Sequence, residues 1–201
     1  MNLILGSSSF ARKAIFNQLC LKYESISPDI DESRMPNESP ENYVLRLSKE
    51  KAIAVSKKIY HQLSNNIFLI VASDQIACHG NSIYGKPTSI DNAKEMLFEL
   101  SGKKIDYING VSIFRTDTNR IESGLSISSV KFKKLTHSII EKYVQDQSII
   151  NCASGIKIEG LGPLLLEEFE SFDPTGIYGM PVLLLDKLIR QINLNLFDFC
   201  L

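Results

Sequence analysis

The chain contains no tryptophan and only three histidines, His61, His79 and His137, scattered over 201 residues. Such isolated imidazoles build no His-rich metal centre, and surface or hairpin positions account for them. The four cysteines, Cys20, Cys78, Cys152 and Cys200, stand far apart and form no C-x-x-C pair. That spacing argues against a zinc site or a disulfide framework and favours reduced thiols in a cytosolic protein. A surplus of one charge is missing too: 22 Lys and Arg face 23 Asp and Glu, for a net charge of −1. No nucleic-acid polymer is therefore expected as partner, because that needs a basic surface to displace counterions. A small anionic ligand stays compatible, since a few cations can converge in one cleft.

Long hydrophobic runs are absent. The longest, Ile67 to Ala72, is far short of the roughly 20 residues that span a bilayer. The N-terminus, Met1-Asn2-Leu3-Ile4-Leu5, has no basic segment and runs at once into serines. It reads as a first buried strand and not a signal peptide, so a cytoplasmic protein without a membrane partner is expected. Repeats, low-complexity tracts and Gly/Ser/Pro-rich linkers are also missing, and residues 1–201 read as one domain.

What is present is an ordinary globular mixture, 44% hydrophobic and 22% charged. Leu3-Ile4-Leu5 reads as a short buried strand. Ser7, Ser8 or Ser9 then caps a helix whose apolar face carries Ala14, Ile15 and Leu19. A strand around Tyr23–Ser27 leads into an acidic loop, Pro28 to Glu38. Ser39-Pro40-Glu41 combines a cap, a proline at the first helical position and an acid at the positive dipole end. The helix it starts is expected to reach about Tyr60 and to bury Val44, Leu45, Leu47, Val55 and Ile59. Ile67–Ala72 has the continuous apolar character of a central strand covered on both faces, ending at Ser73-Asp74-Gln75. A hairpin at Gly80-Asn81 and a break at Gly85-Lys86-Pro87 precede a helix from Ser89 to Gly102. Two long strands, Ile105–Arg115 and Ile121–Phe132, flank the turn Thr116–Asn119. A helix from Thr136 through Val144, a Gly-rich loop at 155–162 and a strand over Leu164–Phe169 follow. The turn Asp173-Pro174-Thr175-Gly176 leads to a C-terminal helix from about Pro181 to Gln191. The expected class is α/β with one strongly buried strand.

Several of these segments could carry chemistry. Gly6-Ser7-Ser8-Ser9-Phe10-Ala11-Arg12 is a strand–turn–helix junction with hydroxyls and an arginine. It suits an anion site as well as it suits plain helix capping. It is neither a Walker loop nor a nucleophile elbow, because neither pattern is completed. Asp74 stands at the expected end of an apolar central strand, where α/β folds place ligand and metal groups. An unpaired buried carboxylate is costly, so a cation or a hydrogen-bond network must hold it, unless it merely caps a turn. Glu32, in Asp29-Ile30-Asp31-Glu32, is a second carboxylate source, or part of a solvated acidic surface. Lys51 lies four residues from both Leu47 and Val55, on the apolar stripe of its helix. It either snorkels outward or points into a cleft. Lys86, held between Gly85 and Pro87, suits a phosphate contact or an ordinary surface turn. Cys152 to Gly162 joins flexible backbone, a hydroxyl and the acid Glu159 in one loop.

These segments also carry a family likeness. L-I-L-G-S-S-S-F-A-R (Leu3–Arg12), S-D-Q-I (Ser73–Ile76) followed by G-K-P (Gly85–Pro87), and C-A-S-G-I-K-I-E-G-L-G (Cys152–Gly162) resemble the main motifs of the Maf (septum-formation) family. Asp31-Glu32, L-R-L-S-K-E-K-A (Leu45–Ala52) and L-S-G-K (Leu100–Lys103) also fall in family order. The resemblance implies a mixed twisted sheet flanked by helices, with two lobes and a deep central cleft (Maf / ITPase-like). It implies hydrolysis of a nucleoside triphosphate between its α- and β-phosphates, with a divalent cation, Mg2+ or Mn2+. Asp74 would then be the general base or a metal-linked carboxylate, and Glu32 the other metal-holding acid. Ser7, Ser8, Arg12, Lys51 and Lys86 would hold the triphosphate. Ala11, Gln75 and Glu159 would set base choice: Ser73-Asp74-Gln75 and Ile158-Glu159-Gly160 resemble the branch that hydrolyses 7-methyl-GTP. A carboxylate at Glu159 can accept hydrogen bonds from the N1–H and 2-amino edge of guanine. Phe10-Ala11 departs from the family's usual proline followed by arginine or tryptophan. A dTTP/UTP pyrophosphatase or a cell-division regulator with little catalysis are the alternatives the likeness leaves open. Family members are often dimers, and a homodimer is left open with them.

Overall fold

A computed structural model describes residues 1–62 and 66–200. Asn2–Leu5 (β1), Tyr23–Ser25 (β2), Phe68–His79 (β3), Ser82–Tyr84 (β4), Lys104–Arg115 (β5), Arg120–Phe132 (β6) and Leu166–Ser171 (β7) form one sheet. Its order is β2-β1-β3-β5-β6-β7, with β4 paired to the far end of β3. β1 runs parallel to β2 and β3, whereas β3, β5, β6 and β7 are mutually antiparallel neighbours. Five helices flank it: Phe10–Gln18 (α1), Pro40–Lys58 (α2), Ile90–Leu100 (α3), His137–Tyr143 (α4) and Val182–Gln191 (α5). This is the mixed α/β architecture expected from the sequence.

The caps act where the composition placed them. Ser9, Ser39, Ser89 and Thr136 each accept from the backbone N–H three residues on, satisfying a donor that the helix itself leaves open. Some expected boundaries move. α1 buries Ile15 and Phe16, and Ala14 and Leu19 are only partly covered. Leu45 is likewise half-buried. β7 starts at Leu166, because Gly162–Leu165 makes a helical turn first.

The largest correction concerns β3. It does not end at Ser73-Asp74-Gln75 but continues to His79, so Asp74 lies in mid-strand opposite Gly110 of β5. The reason is that β3 has different neighbours on its two edges. The ladder to β5 runs from Leu69 to Cys78. The ladder to β1 stops at Val71, where β1 ends. Beyond Val71 that edge of β3 lies open until β4 joins at Ala77. A cleft forms along the open stretch, beside the carboxyl end of β1, a position α/β sheets favour for ligands.

Packing divides along the same line. One end of the long strands buries Leu97, Leu100, Ile105, Phe132, Ile140 and Tyr143 beneath α3 and α4. The other end buries Leu5, Phe16, Val71, Ile113, Leu185 and Ile189 with α1 and α5. On the opposite face α2 lays Ala52, Val55 and Ile59 on Ile4, Ile70 and Ala72. Its first turns come so close that a Cβ on Gly110 would stand 2.3 Å from the Val44 carbonyl oxygen. Gly110→Ala is therefore expected to destabilise the chain by about 1–3 kcal/mol, by overpacking against backbone that cannot turn aside. Urea unfolding measures it. An unchanged midpoint would mean that α2 does not lie this close to β5.

Candidate active site

Every residue singled out in the sequence lines one cleft of about 810 Å³: Ser7, Ser8, Ala11, Arg12, Glu32, Lys51, Asp74, Gln75, Lys86 and Glu159. They come from segments far apart in the chain, brought together where β1 ends and β3 is left open.

Lys51 is the centre of the arrangement. Its position between Leu47 and Val55 on the apolar stripe of α2 aims the side chain at the sheet, and the residue is only 5% exposed. Its Nζ lies 2.6 Å from Asp74 Oδ1 and 2.7 Å from Glu32 Oε1. Of the two sequence alternatives, the lysine points into the cleft. Asp74 is 7% exposed and on the α2-facing side of β3, so an ammonium group meets the carboxylate that burial would otherwise penalise. Among the described residues, no hydrogen bond reaches its Oδ2, which is left for the cleft.

Glu32 is held by the chain around it and not by a helix or strand. Tyr43 Oη donates to the Glu32 carbonyl at 2.6 Å. Arg46 forks onto Glu38 at 2.7 and 2.8 Å and donates to the Ser33 carbonyl at 3.0 Å. The acidic loop is thus fastened to α2 at Glu32 and beyond it, while the Glu32 side chain stays 56% exposed at the cleft mouth.

The serine-rich junction lines the same cleft. Ser7 is buried, and its Oγ accepts from the Ser9 amide at 3.1 Å and from Arg12 Nη1 at 3.3 Å. Ser9 caps α1, whose first amides and positive dipole end face the cleft. Arg12 Nε donates to the Gly179 carbonyl at 2.9 Å, and Ser73 Oγ donates to the same oxygen at 2.9 Å. Burial pulls the Arg12 guanidinium below its ordinary range, and the charges of Asp74 and Glu32 oppose that shift. A guanidinium remains a cation at neutral pH even so. Ser8 is exposed, Lys86 is exposed at its turn, and Phe10 stands 85% exposed at the first residue of α1.

The carboxyl-terminal turn was not legible as part of the site. Pro174–Tyr178 folds back over the sheet, where Gln75 Nε2 donates to the Gly176 and Ile177 carbonyls at 2.9 and 3.2 Å. Asn109 Nδ2 adds a third bond, to Gly176, at 2.9 Å. Asp173 accepts from the Thr175 amide and hydroxyl and from the Leu183 and Leu184 amides, tying the turn to α5. The motif Asp173-Pro174-Thr175-Gly176 signalled a turn, but nothing local could indicate that Gly179 would meet Arg12.

The donor set fits a hard divalent cation. Two carboxylates from different segments converge on the same ammonium group, and no cluster of three or more His, Cys, Asp or Glu groups suited to a metal occurs among the described residues. Magnesium-like ions commonly take only one or two protein carboxylates and fill their shell with water and substrate phosphate. Glu32 and Asp74 would supply those two. In the same cleft, Ser7, Arg12 and the α1 N-terminus offer donors to phosphate oxygens. The cleft therefore combines acids, which can hold a cation or take a proton, with cations and amides that neutralise phosphate charge.

The chain is similar to known proteins over nearly its whole length. A "7-methyl-GTP pyrophosphatase" of Idiomarina loihiensis is 37% identical over 194 residues, covering 96% of each chain. The protein of that name from Alcanivorax borkumensis is 38% identical, covering 96% of this chain and 95% of the other. That of Aliivibrio fischeri is 36% identical, with 96% and 97% covered. The family described as Maf-like protein matches residues 2–192, and the chain belongs to it.

Proposed function

We propose that the chain is a nucleoside triphosphate pyrophosphatase that cleaves 7-methyl-GTP, or a similarly modified nucleotide, between its α- and β-phosphates. The observation that carries this reading is the meeting of Asp74 and Glu32 on Lys51, in the same cleft that Ser7 and Arg12 line. Water is the nucleophile, and its oxygen forms the new bond to phosphorus as the anhydride bond breaks. The products are the nucleoside monophosphate and pyrophosphate. Asp74, through the oxygen not engaged by Lys51, takes the proton that water loses. Arg12, Lys86, Ser7, Ser8 and the α1 amides bind the triphosphate and stabilise the charge that accumulates on its oxygens. Lys51 keeps the two acids at one place. A divalent cation, Mg2+ or Mn2+, held by Glu32 and Asp74, would neutralise further phosphate charge when bound. No covalent nucleophile is needed, and every assigned group belongs to one chain.

Base choice is assigned to Glu159, Ala11 and Gln75. Glu159 is exposed on the Gly-rich loop and lines the same cleft, together with Ala11 and Gln75. Its carboxylate would accept from the guanine N1–H and 2-amino group, and a methylated, cationic guanine strengthens that contact. Substituting Glu159→Gln is expected to lower kcat/KM for 7-methyl-GTP by about 10–100-fold and to move preference toward dTTP or UTP. Steady-state rates of pyrophosphate release over both substrates test it; an unaltered preference removes Glu159 from base selection. Four free cysteines suit a reducing compartment, and the cytoplasm is the location assigned to this activity.

A further inference from the structure

The loop that carries Glu159 is organised around the backbone of a single residue, Lys157. Its carbonyl oxygen accepts from the Gly160 amide at 3.1 Å and from the Gly162 amide at 3.0 Å, closing the turn that contains Glu159. The closure is tight, for a Cβ on Gly162 would stand 2.5 Å from that same oxygen. The Lys157 amide in turn donates at 2.9 Å to the hydroxyl of Tyr143, the last residue of α4. Tyr143 is 3% exposed and packed in the core beneath α3, and it is not among the residues lining the cleft. Its hydroxyl donates onward to the Gly155 carbonyl at 3.1 Å, so one oxygen holds two points, Gly155 and Lys157, on the arm that leads into Glu159.

We propose that Tyr143 is a positioning residue for base selection: its hydroxyl sets the Lys157–Gly162 turn and thereby the place at which Glu159 meets the nucleobase. The inference rests on the base-reading role assigned to Glu159 above. Burial pushes the Tyr143 hydroxyl up to about 12, which keeps its proton, and so the bond to Gly155, throughout the neutral range. The aromatic ring fills the core, and Tyr143→Phe removes only the oxygen that holds the turn. The turn then loses its tie to α4 and keeps, among the described residues, only the Lys157 Nζ bonds to Asp146 and Ser148 outside itself. Ser7, Arg12, Lys51 and Asp74 keep their bonds, because none of these passes through α4.

The test compares wild-type chain and Tyr143→Phe with 7-methyl-GTP and UTP, and measures inhibition by inorganic tripolyphosphate, which has no base. KM for 7-methyl-GTP is expected to rise about tenfold with kcat held within about twofold, and tripolyphosphate inhibition to stay unchanged. Gly162→Ala, which opens the same turn from its other end, should give the same selective rise and serves if Tyr143→Phe does not fold. Discrimination left intact in a folded variant overturns the inference. A joint fall in kcat and tripolyphosphate binding also overturns it, since that marks a general brace of the fold. A wild-type chain that does not discriminate between the bases removes the reading of Glu159 itself, which separates the two failures.

Discussion

Replacing Asp74 with asparagine is expected to lower pyrophosphate release by about 100- to 10,000-fold, the range typical of losing a general base, while the chain stays folded. Asparagine has the same shape, and the ladder that holds residue 74 opposite Gly110 runs through the backbone. Lys51 keeps Glu32 as a partner at 2.7 Å, so its ammonium is not stranded by the change. What disappears is the carboxylate proposed to accept the proton and share the cation. The loss should fall on kcat, with KM little altered, because the phosphate contacts proposed for Ser7, Arg12 and Lys86 are untouched. Steady-state kinetics with a parallel urea titration measure both parts. A variant that unfolds at the wild-type midpoint and still turns over would show that Asp74 is not the base.

The second large effect is expected at Lys51. Its side chain and that of Asp74 are 7% and 10% exposed, so this is a buried pair. Removing one partner of such a pair typically costs about 3–5 kcal/mol, because the other charge remains buried without compensation. In Lys51→Met the methylene stem is roughly kept, so the loss reports the charge and not a cavity. Glu32 and Asp74 then repel each other across the gap, and activity should fall with stability. The pair between Lys58 and Asp29 is the control. Its side chains are 39% and 67% exposed, and Lys58→Met is expected to cost at most about 1 kcal/mol. Equal midpoints for the two variants would contradict the buried position of Lys51.

How far these features could be read from the sequence depended on the range of the interaction involved. Ser39-Pro40-Glu41 marks the start of α2 with neighbouring residues alone, and the helix begins at Pro40. The spacing Leu47, Lys51, Val55 placed the lysine on the buried face, but not which way its end would point. That was decided by Asp74 and Glu32, from other segments. The apolar run Ile67–Ala72 located the central strand yet gave the wrong end. Strand pairing to β5 carries the polar residues Ser73, Asp74 and Gln75 onward, and a polar residue in mid-strand resembles a strand end in one dimension. The bond between Arg12 and Gly179 joins residues 167 positions apart, with no local mark at either. Asp173 receives two bonds from Thr175, inside the turn its motif marks, and two from the first turn of α5, which nothing local marks. Family motifs supplied the gathering of the site that local chemistry could not, and the cleft holds those residues together.

The central claim is tested most directly by pyrophosphate release, with Mg2+ or Mn2+, across 7-methyl-GTP, GTP, dTTP, UTP, CTP and 5-methyl-UTP, with Asp74→Asn alongside. The account predicts fastest release from 7-methyl-GTP and near-complete loss in the Asp74 variant. Release from none of these nucleotides by folded wild-type chain would contradict it.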